Sequence, residues 1–248
     1  MEPLWSIDEL VQELDQPKLD GWKLFAQTSE VKVYRRIDEA TKAIRYKCYS
    51  HIPDVTPEVF YRVALDIEYR LVWDKYLKEA RVINDGEKEG IHWEIIMPLF
   101  IDNRDYTYVR EYGEYDVDTR HFYYAMTRCE PFKNVPPKKK VVRIETCQTQ
   151  TVLCSDGDKG LKSVFVYYED PRGNIPKALW SWAAKFGVPM YVKLTHNACL
   201  NYPTWIKDKQ AKLPNVPDEI DEIDRAATAE AAAIMASNED VQNDNEEE

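Results

Sequence analysis

The chain predicts an α+β fold, with its helices segregated from one large antiparallel sheet. Three observations lead there. Eight or nine short runs rich in β-branched and aromatic residues follow one another with turn residues between them, as in a meander. Helical periodicity is confined to the start, the middle and the end of the apolar part of the chain. Strands and helices do not alternate as a parallel sheet requires. With 44% hydrophobic and 12% aromatic residues among 248, the material for a substantial core is present.

Taken in order, Ser6 caps the first helix, and Glu9 three residues on completes a capping box. Ile7, Leu10, Val11 and Leu14 then recur at helical spacing. After a turn at Asp20-Gly21, WKLFAQ, VKVYRRI and AIRYKCYSH read as successive strands. A second helix starts at Thr56 with Pro57 at its first position. It carries Val59, Phe60, Val63 and Ile67 on one face and leads into EYRLVWDKYL, residues 68–77. HWEIIMPL, RDYTYVREY, RHFYYAMTR, a long VVRIETCQTQTVLC and KSVFVYYE follow as strands, with turns at Asn84-Asp85-Gly86 and Ser155-Asp156-Gly157. A long helix opened by Pro176 comes last, its apolar stripe formed by Ile175, Leu179, Trp182, Ala183 and Phe186. Gly187 and Pro189 predict a kink or loosened turn within it, and Pro203 its end.

Composition changes near residue 210, dividing the chain into a folded domain, 1–210, and an acidic, Ala-rich tail, 211–248. Pro214 and Pro217 bracket a linker, residues 218–236 favour helix by propensity, and NEDVQNDNEEE reads as disordered. The net charge of −11 belongs to this tail: from Asp218 to Glu248 there are twelve acids and one base. The body is electrically neutral, which speaks against nucleic acid as a partner.

Other classes are also disfavoured. No apolar run is long enough for a membrane helix, and MEPLWSIDELVQEL lacks the regions of a signal peptide. Five cysteines without a CxxC pair read as reduced thiols in the cytoplasm. The four histidines show no metal-ligand spacing, and no GxSxG occurs.

A curved sheet with a helix across its mouth encloses either a cavity or an ordinary packed core, and periodicity is silent between them. The pair Arg70 and Asp74 raises the same choice. Four residues apart, they share a helix face among Tyr69, Leu71, Val72, Trp73 and Tyr76. At the surface such a pair is worth ~0.3–0.5 kcal/mol. Alternatively, Asp74 orients Arg70 toward an anion in an apolar place.

Several long stretches carry a family resemblance: YRLVWDKYLKE, the WE of IHWEIIMP, NRDYTYVRE, SDGDKGLKSVFVYYEDPRGNIP, SWAAKFGVPMYVK and NACLNY. In this order they resemble the START domain, the lipid-binding helix-grip fold, most of all its phosphatidylcholine transfer protein-like branch. The resemblance runs through most of residues 3–203 and leaves the tail outside. It implies a long curved antiparallel sheet gripping a C-terminal helix, with a lipid-sized tunnel between. It also implies that Arg70 meets a lipid phosphate and that Asp74 orients it. Trp93 and Tyr106 match two of three aromatic walls around the choline; Trp93 alternates with Ile95 and Met97 on one strand face. The chain departs from the family pattern at Cys147, where the third wall falls, at Ala64 in place of a tyrosine, and at Thr149 in place of a glutamine. A missing wall weakens a cation–π contribution of ~0.5–2 kcal/mol, which Tyr108 or Tyr168 could restore.

The expectation that follows is non-vesicular binding and transfer of one glycerophospholipid, foremost phosphatidylcholine. The bound phospholipid is cargo; no cofactor, metal or catalytic residue is implied. The alternatives are another phospholipid head group, or a lipid-sensing regulator or scaffold that presents its lipid to protein partners through the acidic tail. Transient membrane contact is expected at Leu99 and Phe100 and along the last helix at Trp182, Phe186 and Val188, with Trp180 and Tyr191 near the interface. Lys138, Lys139 and Lys140 form a basic loop, usually a solvated turn and otherwise a contact for anionic lipid.

Overall fold

Asn84, Asp85 and Gly86 do make a hairpin turn: the Asn84 side chain accepts from the Gly86 N–H at 2.8 Å, and Gly86 takes φ +88°. Turns of this kind string together a ten-stranded sheet in a computed structural model that describes residues 5–37, 43–98, 101–172 and 176–208. The strands are β1 Lys23–Gln27, β2 Val31–Ile37, β3 Ile44–Ile52, β4 Leu77–Asn84, β5 Glu89–Ile95, β6 Asn103–Val117, β7 Arg120–Cys129, β8 Val141–Ile144, β9 Cys147–Ser155 and β10 Leu161–Glu169. Their spatial order is β1-β2-β3-β10-β9-β7-β6-β5-β4, antiparallel throughout, with the short β8 pairing parallel to β6. The helices are α1 Ile7–Asp15, α2 Pro57–Leu65, α3 Ile67–Trp73, α4 Lys177–Trp182 and α5 Val188–Asp208; a π-helical turn, Ala183–Gly187, joins the last two.

The two faces of the sheet have different neighbours. On the outer face α1, held by its Ser6/Glu9 capping box, lays Leu10 and Val11 over Phe122, Val152 and Val164. Its other buried side chain, Glu13, is satisfied by Lys47 Nζ at 2.8 Å and by the Tyr49 hydroxyl. On the inner face α5 buries Met190, Leu194 and Ala198 against Ile52 and Leu161 of the sheet and Val63, Tyr69 and Trp73 of α2 and α3. Each large aliphatic buried this way is worth about 1.5–3 kcal/mol. Tyr69 clamps the helices together, its hydroxyl donating to the Ala198 carbonyl at 2.8 Å.

Three local expectations need correction, and one strand is added. The second helix breaks at Asp66, whose backbone is extended (ψ 99°) and whose side chain accepts from the Tyr69 N–H to cap α3. Leu77–Asn84 is a further strand; a register shift between Leu77 and Glu79 keeps Leu77 and Ala80 on one face, while Ile83 is buried on the other against Phe132 and Val135. The long strand through residues 141–154 is two: β8 follows β6, with Arg143 bonded to Asp105, before β9 sets off between β7 and β10. Pro203 lies inside α5 rather than ending it. Tyr202 and Trp205 on either side pack on Tyr69 at ring distances of 5.0 and 5.2 Å, contacts that offset the lost backbone bond.

The tail from residue 209 onward, with the linker and tail helix expected there, lies outside the described residues, as do Ile175, Leu99 and Phe100.

Candidate functional site

Arg70 occupies the last turn of α3, where the helix dipole favours a cation. Its Nε donates to Asp74 Oδ2 at 2.9 Å, and one Nη donates to the Tyr191 hydroxyl on α5. Asp74 closes the helix, and its Oδ1 accepts from the Tyr76 N–H at 3.1 Å. Only 18% of the Arg70 side chain and 4% of the Asp74 side chain are accessible, so this is an interior pair and not a surface bridge. Three rings wall the guanidinium: Trp93 at 4.7 Å, Trp73 at 4.8 Å and Tyr191 at 5.7 Å from centroid to Cζ. Burial opposes the charge, but Tyr191 and Asp74 more than offset it and hold the guanidinium above its ordinary pKa.

The register of the sheet assembles a second group beside the first. Trp93 on β5 faces Tyr106 on β6, Tyr108 faces Cys129 on β7, and Cys147 on β9 faces Glu169 on β10. The rings of Trp93 and Tyr108 lie 6.4 Å apart. Tyr106, Tyr108 and Tyr167 pack around Cys129, Ile144 and Cys147. Glu169 Oε2 accepts from the Tyr106 hydroxyl at 3.2 Å and from the Tyr167 hydroxyl. Thr149, one step along β9, bonds the Thr127 hydroxyl at 2.6 Å.

Arg70, Tyr106, Tyr108, Tyr167, Glu169 and Tyr191 are all deep enough for burial to dominate their electrostatics, yet each keeps accessible surface. Such groups border the space between the sheet and its closing helix, here called the hollow. The hollow's walls are therefore aromatic, with a cation at Arg70 and a carboxyl at Glu169. Burial raises the Tyr108 phenol to about 12 against the pull of Arg110 and Arg70, so it lines the hollow as a neutral donor. The Cys147 thiol is pushed well up by its bond to Cys129 and by burial, the reverse of an activated nucleophile.

Of the expected site residues, Arg70, Asp74, Trp93 and Tyr106 come together, and Cys147 lies in the adjoining group with Thr149 one inward step further along the same strand. Ala64 is exposed on α2. Tyr108 belongs to the aromatic wall, whereas Tyr168 points to the outer face, its ring 5.5 Å from Arg45. Trp182 is core, 8% accessible, and Phe186 packs against the same cluster. Val188 packs with Val33, Tyr46 and Cys48 near the β1–β2 edge. Trp180 is half-buried with Arg35 over its ring at 5.4 Å. Lys138 is engaged by Glu79 at 2.7 Å and Glu94 at 2.8 Å; Lys139 and Lys140 are exposed. Tyr167, Glu169 and Tyr191 were missed as lining residues. The alternation in KSVFVYYE already placed Phe165, Tyr167 and Glu169 on one face; which face was the missing fact. Among the described residues no group of His, Cys, Asp and Glu could hold a metal ion, and no helix is long and apolar enough to cross a membrane.

A sheet wrapped around a C-terminal helix, with a hollow lined by aromatic rings and one held guanidinium, defines a helix-grip binding domain. The START domain profile matches residues 6–206, and the chain belongs to the START family. It is 34% identical over 196 residues to the phosphatidylcholine transfer protein of Mus musculus, covering 78% of this chain and 92% of that protein. To the Homo sapiens phosphatidylcholine transfer protein it is 33% identical over 203 residues, covering 81% and 94%. The crystal structure of human STARD10 superposes with a TM-score of 0.66 at 24% identity, covering 86% of this chain and 91% of that one, and shows the same fold.

Proposed function

We propose that the protein binds one glycerophospholipid in this hollow, phosphatidylcholine foremost, and exchanges it between membranes without vesicles. The observation that carries the proposal is the guanidinium of Arg70, held deep in the molecule by Asp74 and walled by Trp73, Trp93 and Tyr191. A phosphate leaving water needs a cation with hydrogen bonds, because an unpaired buried charge is very costly. A guanidinium has five N–H donors, of which Asp74 and Tyr191 take two. Choline neither donates nor accepts and suits the faces of Trp93 and Tyr106. Cys147 and Thr149 border that subsite. Relatives matched over three-quarters of the chain are named for phosphatidylcholine transfer, which supports the same activity here.

Acyl chains need only a dry place. The bilayer and the hollow are both dry, so moving the chains between them changes little free energy and exchange stays reversible. Membrane contact is made by the helix around the π-turn, with Trp182, Phe186 and Val188 shifting as it opens; Leu99 and Phe100, also expected to take part, lie outside the described residues. The folded unit is residues 1–210, it works in the cytoplasm, and its lipid is cargo and not a cofactor. The high pKa of Cys147 further favours a carrier over an enzyme.

The test is direct. The purified chain is extracted with organic solvent and the lipid identified by mass spectrometry, and transfer of labelled phosphatidylcholine between vesicles is timed for wild type and Arg70→Met. One phospholipid per chain and transfer slowed tenfold or more by Arg70→Met are expected. A chain that neither carries nor accepts phospholipid would refute the proposal.

A further inference from the structure

Glu169 is a half-buried acid with an incomplete set of partners among the described residues. It ends β10, opposite Cys147 on one side and Ile44 on the other, on the inner face with Phe165 and Tyr167. Among the described residues its carboxylate has the hydroxyls of Tyr106 and Tyr167 and no ion-pair partner. The cation that acts on it from longer range, Arg104, is bonded to the Asp102 carbonyl at 2.5 Å. Burial pushes the Glu169 carboxyl up even though both tyrosines favour its ionised form. Arg70 has its counter-charge in Asp74. The acid across the hollow lacks one.

The two charges belong to one space. Arg70 stands on the ring of Trp93, Trp93 faces Tyr106 across the strands, and the Tyr106 hydroxyl bonds Glu169. Tyr108 feels both Arg70 and Cys147, and Cys147 feels Glu169. A carboxylate therefore borders the position where an aromatic wall is missing.

Resting on the phospholipid reading above, we infer that Glu169 is a head-group specificity residue: its carboxylate, aimed by Tyr106 and Tyr167, takes the cationic amine of a zwitterionic phospholipid and admits the primary ammonium of an ethanolamine head group alongside choline. A quaternary ammonium gains only Coulomb attraction there. A primary ammonium adds up to three N–H donors, which the carboxylate and the ring of phenol oxygens can accept. Phosphatidylserine also offers an ammonium, but its own carboxylate would then stand beside Glu169 and be repelled, and anionic head groups without an amine have no cation to offer. Phosphate to Arg70 and amine to Glu169 would read both ends of the same zwitterion.

The full chain is incubated with vesicles containing equal phosphatidylcholine, phosphatidylethanolamine and phosphatidylserine, re-isolated, and its bound lipid quantified by mass spectrometry. Glu169→Gln should lower the ethanolamine-to-choline ratio by about tenfold, the equivalent of one charge-assisted hydrogen bond, and raise the serine lipid's share. Tyr167→Phe, which removes one hydroxyl aiming the carboxylate and leaves the ring, should shift the ratio the same way by a smaller factor; it keeps the test open if Glu169→Gln does not fold. Loaded wild type whose ratio is indifferent to both substitutions overturns the Glu169 assignment alone. Wild type re-isolated without phospholipid overturns the parent reading and this one together.

Discussion

The hydroxyl of Tyr191 on α5 accepts a hydrogen bond from the Arg70 guanidinium and lies 3.5 Å from Asp74 Oδ2. The closing helix is thus tied to a cation walled by aromatic rings. On the proposed reading a phosphate would take the Arg70 donors that Asp74 and Tyr191 leave free and would sit beside the Tyr191 tie, which would couple cargo entry to release of the helix. Tyr191 titrates above its ordinary range because it is buried, so at neutral pH it is a neutral phenol that does not repel a phosphodiester monoanion.

Tyr191→Phe is expected to cut this tie and keep the ring. A bond to a charged group contributes ~1.5–3 kcal/mol, so thermal unfolding should shift down by that order. Lipid uptake from vesicles should accelerate, because the closing helix is no longer tied to Arg70. Stopped-flow uptake of a fluorescent phospholipid reads this; slower uptake would mean that Tyr191 helps to bind the cargo.

Arg70 and Asp74 should behave as a coupled pair. Asp74→Asn leaves a guanidinium inside without its counter-charge, and losses of ~3–5 kcal/mol are typical of such cuts. Arg70→Met leaves the acid stranded in its turn. The double variant should be more stable than the sum of the single losses allows, with a coupling of ~1–3 kcal/mol in denaturant titrations. It should still transfer phospholipid tenfold or more slowly than wild type. Additive losses would show that the pair is not a unit.

Gly187 ends the π-turn against Trp182, and a Cβ there would stand 2.9 Å from the indole ring. Gly187→Ala should therefore destabilise the α4–α5 junction by ~1–3 kcal/mol through overpacking. Hydrogen exchange, followed by mass spectrometry across residues 178–194, should speed up locally. Protection unchanged from wild type would place the packing constraint elsewhere.

Acid should loosen the β4–β5 edge before the hollow. Glu94 has a side chain 1% accessible; burial raises its pKa, but bonds from Lys138, Lys78 and Asn103 outweigh that and bring it down from an ordinary 4.5 to about 2. A depressed carboxyl contributes stability that is fully present above the unfolded value and lost as pH falls through the folded one. Melting temperature should therefore decline between pH 4.5 and about 2, and Glu94→Gln should flatten that decline. An identical pH profile in the variant would assign the acid sensitivity to other groups.

Much of the molecule could be read before it was seen. The capping box at Ser6, the hairpin turns at Gly86 and Gly157 and the loosened helix before Pro189 are local signals, decided by backbone sterics and by neighbours within four residues. The pairing of Arg70 with Asp74 was equally legible, because a helix brings residues four apart together whatever surrounds it. Sequence alone therefore determined the order and type of most elements and the resemblance that names the family. It could not tell an interior ion pair from a surface one, nor say that Leu77–Asn84 is a strand, because its buried residues Leu77, Ala80 and Ile83 fall three apart. Tertiary structure decided those points, and it alone brought Tyr191 to Arg70 across 121 positions and Tyr106 to Glu169 across 63. The physical reason is that a strand's two faces differ only by what packs on each, and that is settled when α1 covers one side of the sheet and α5 closes over the other.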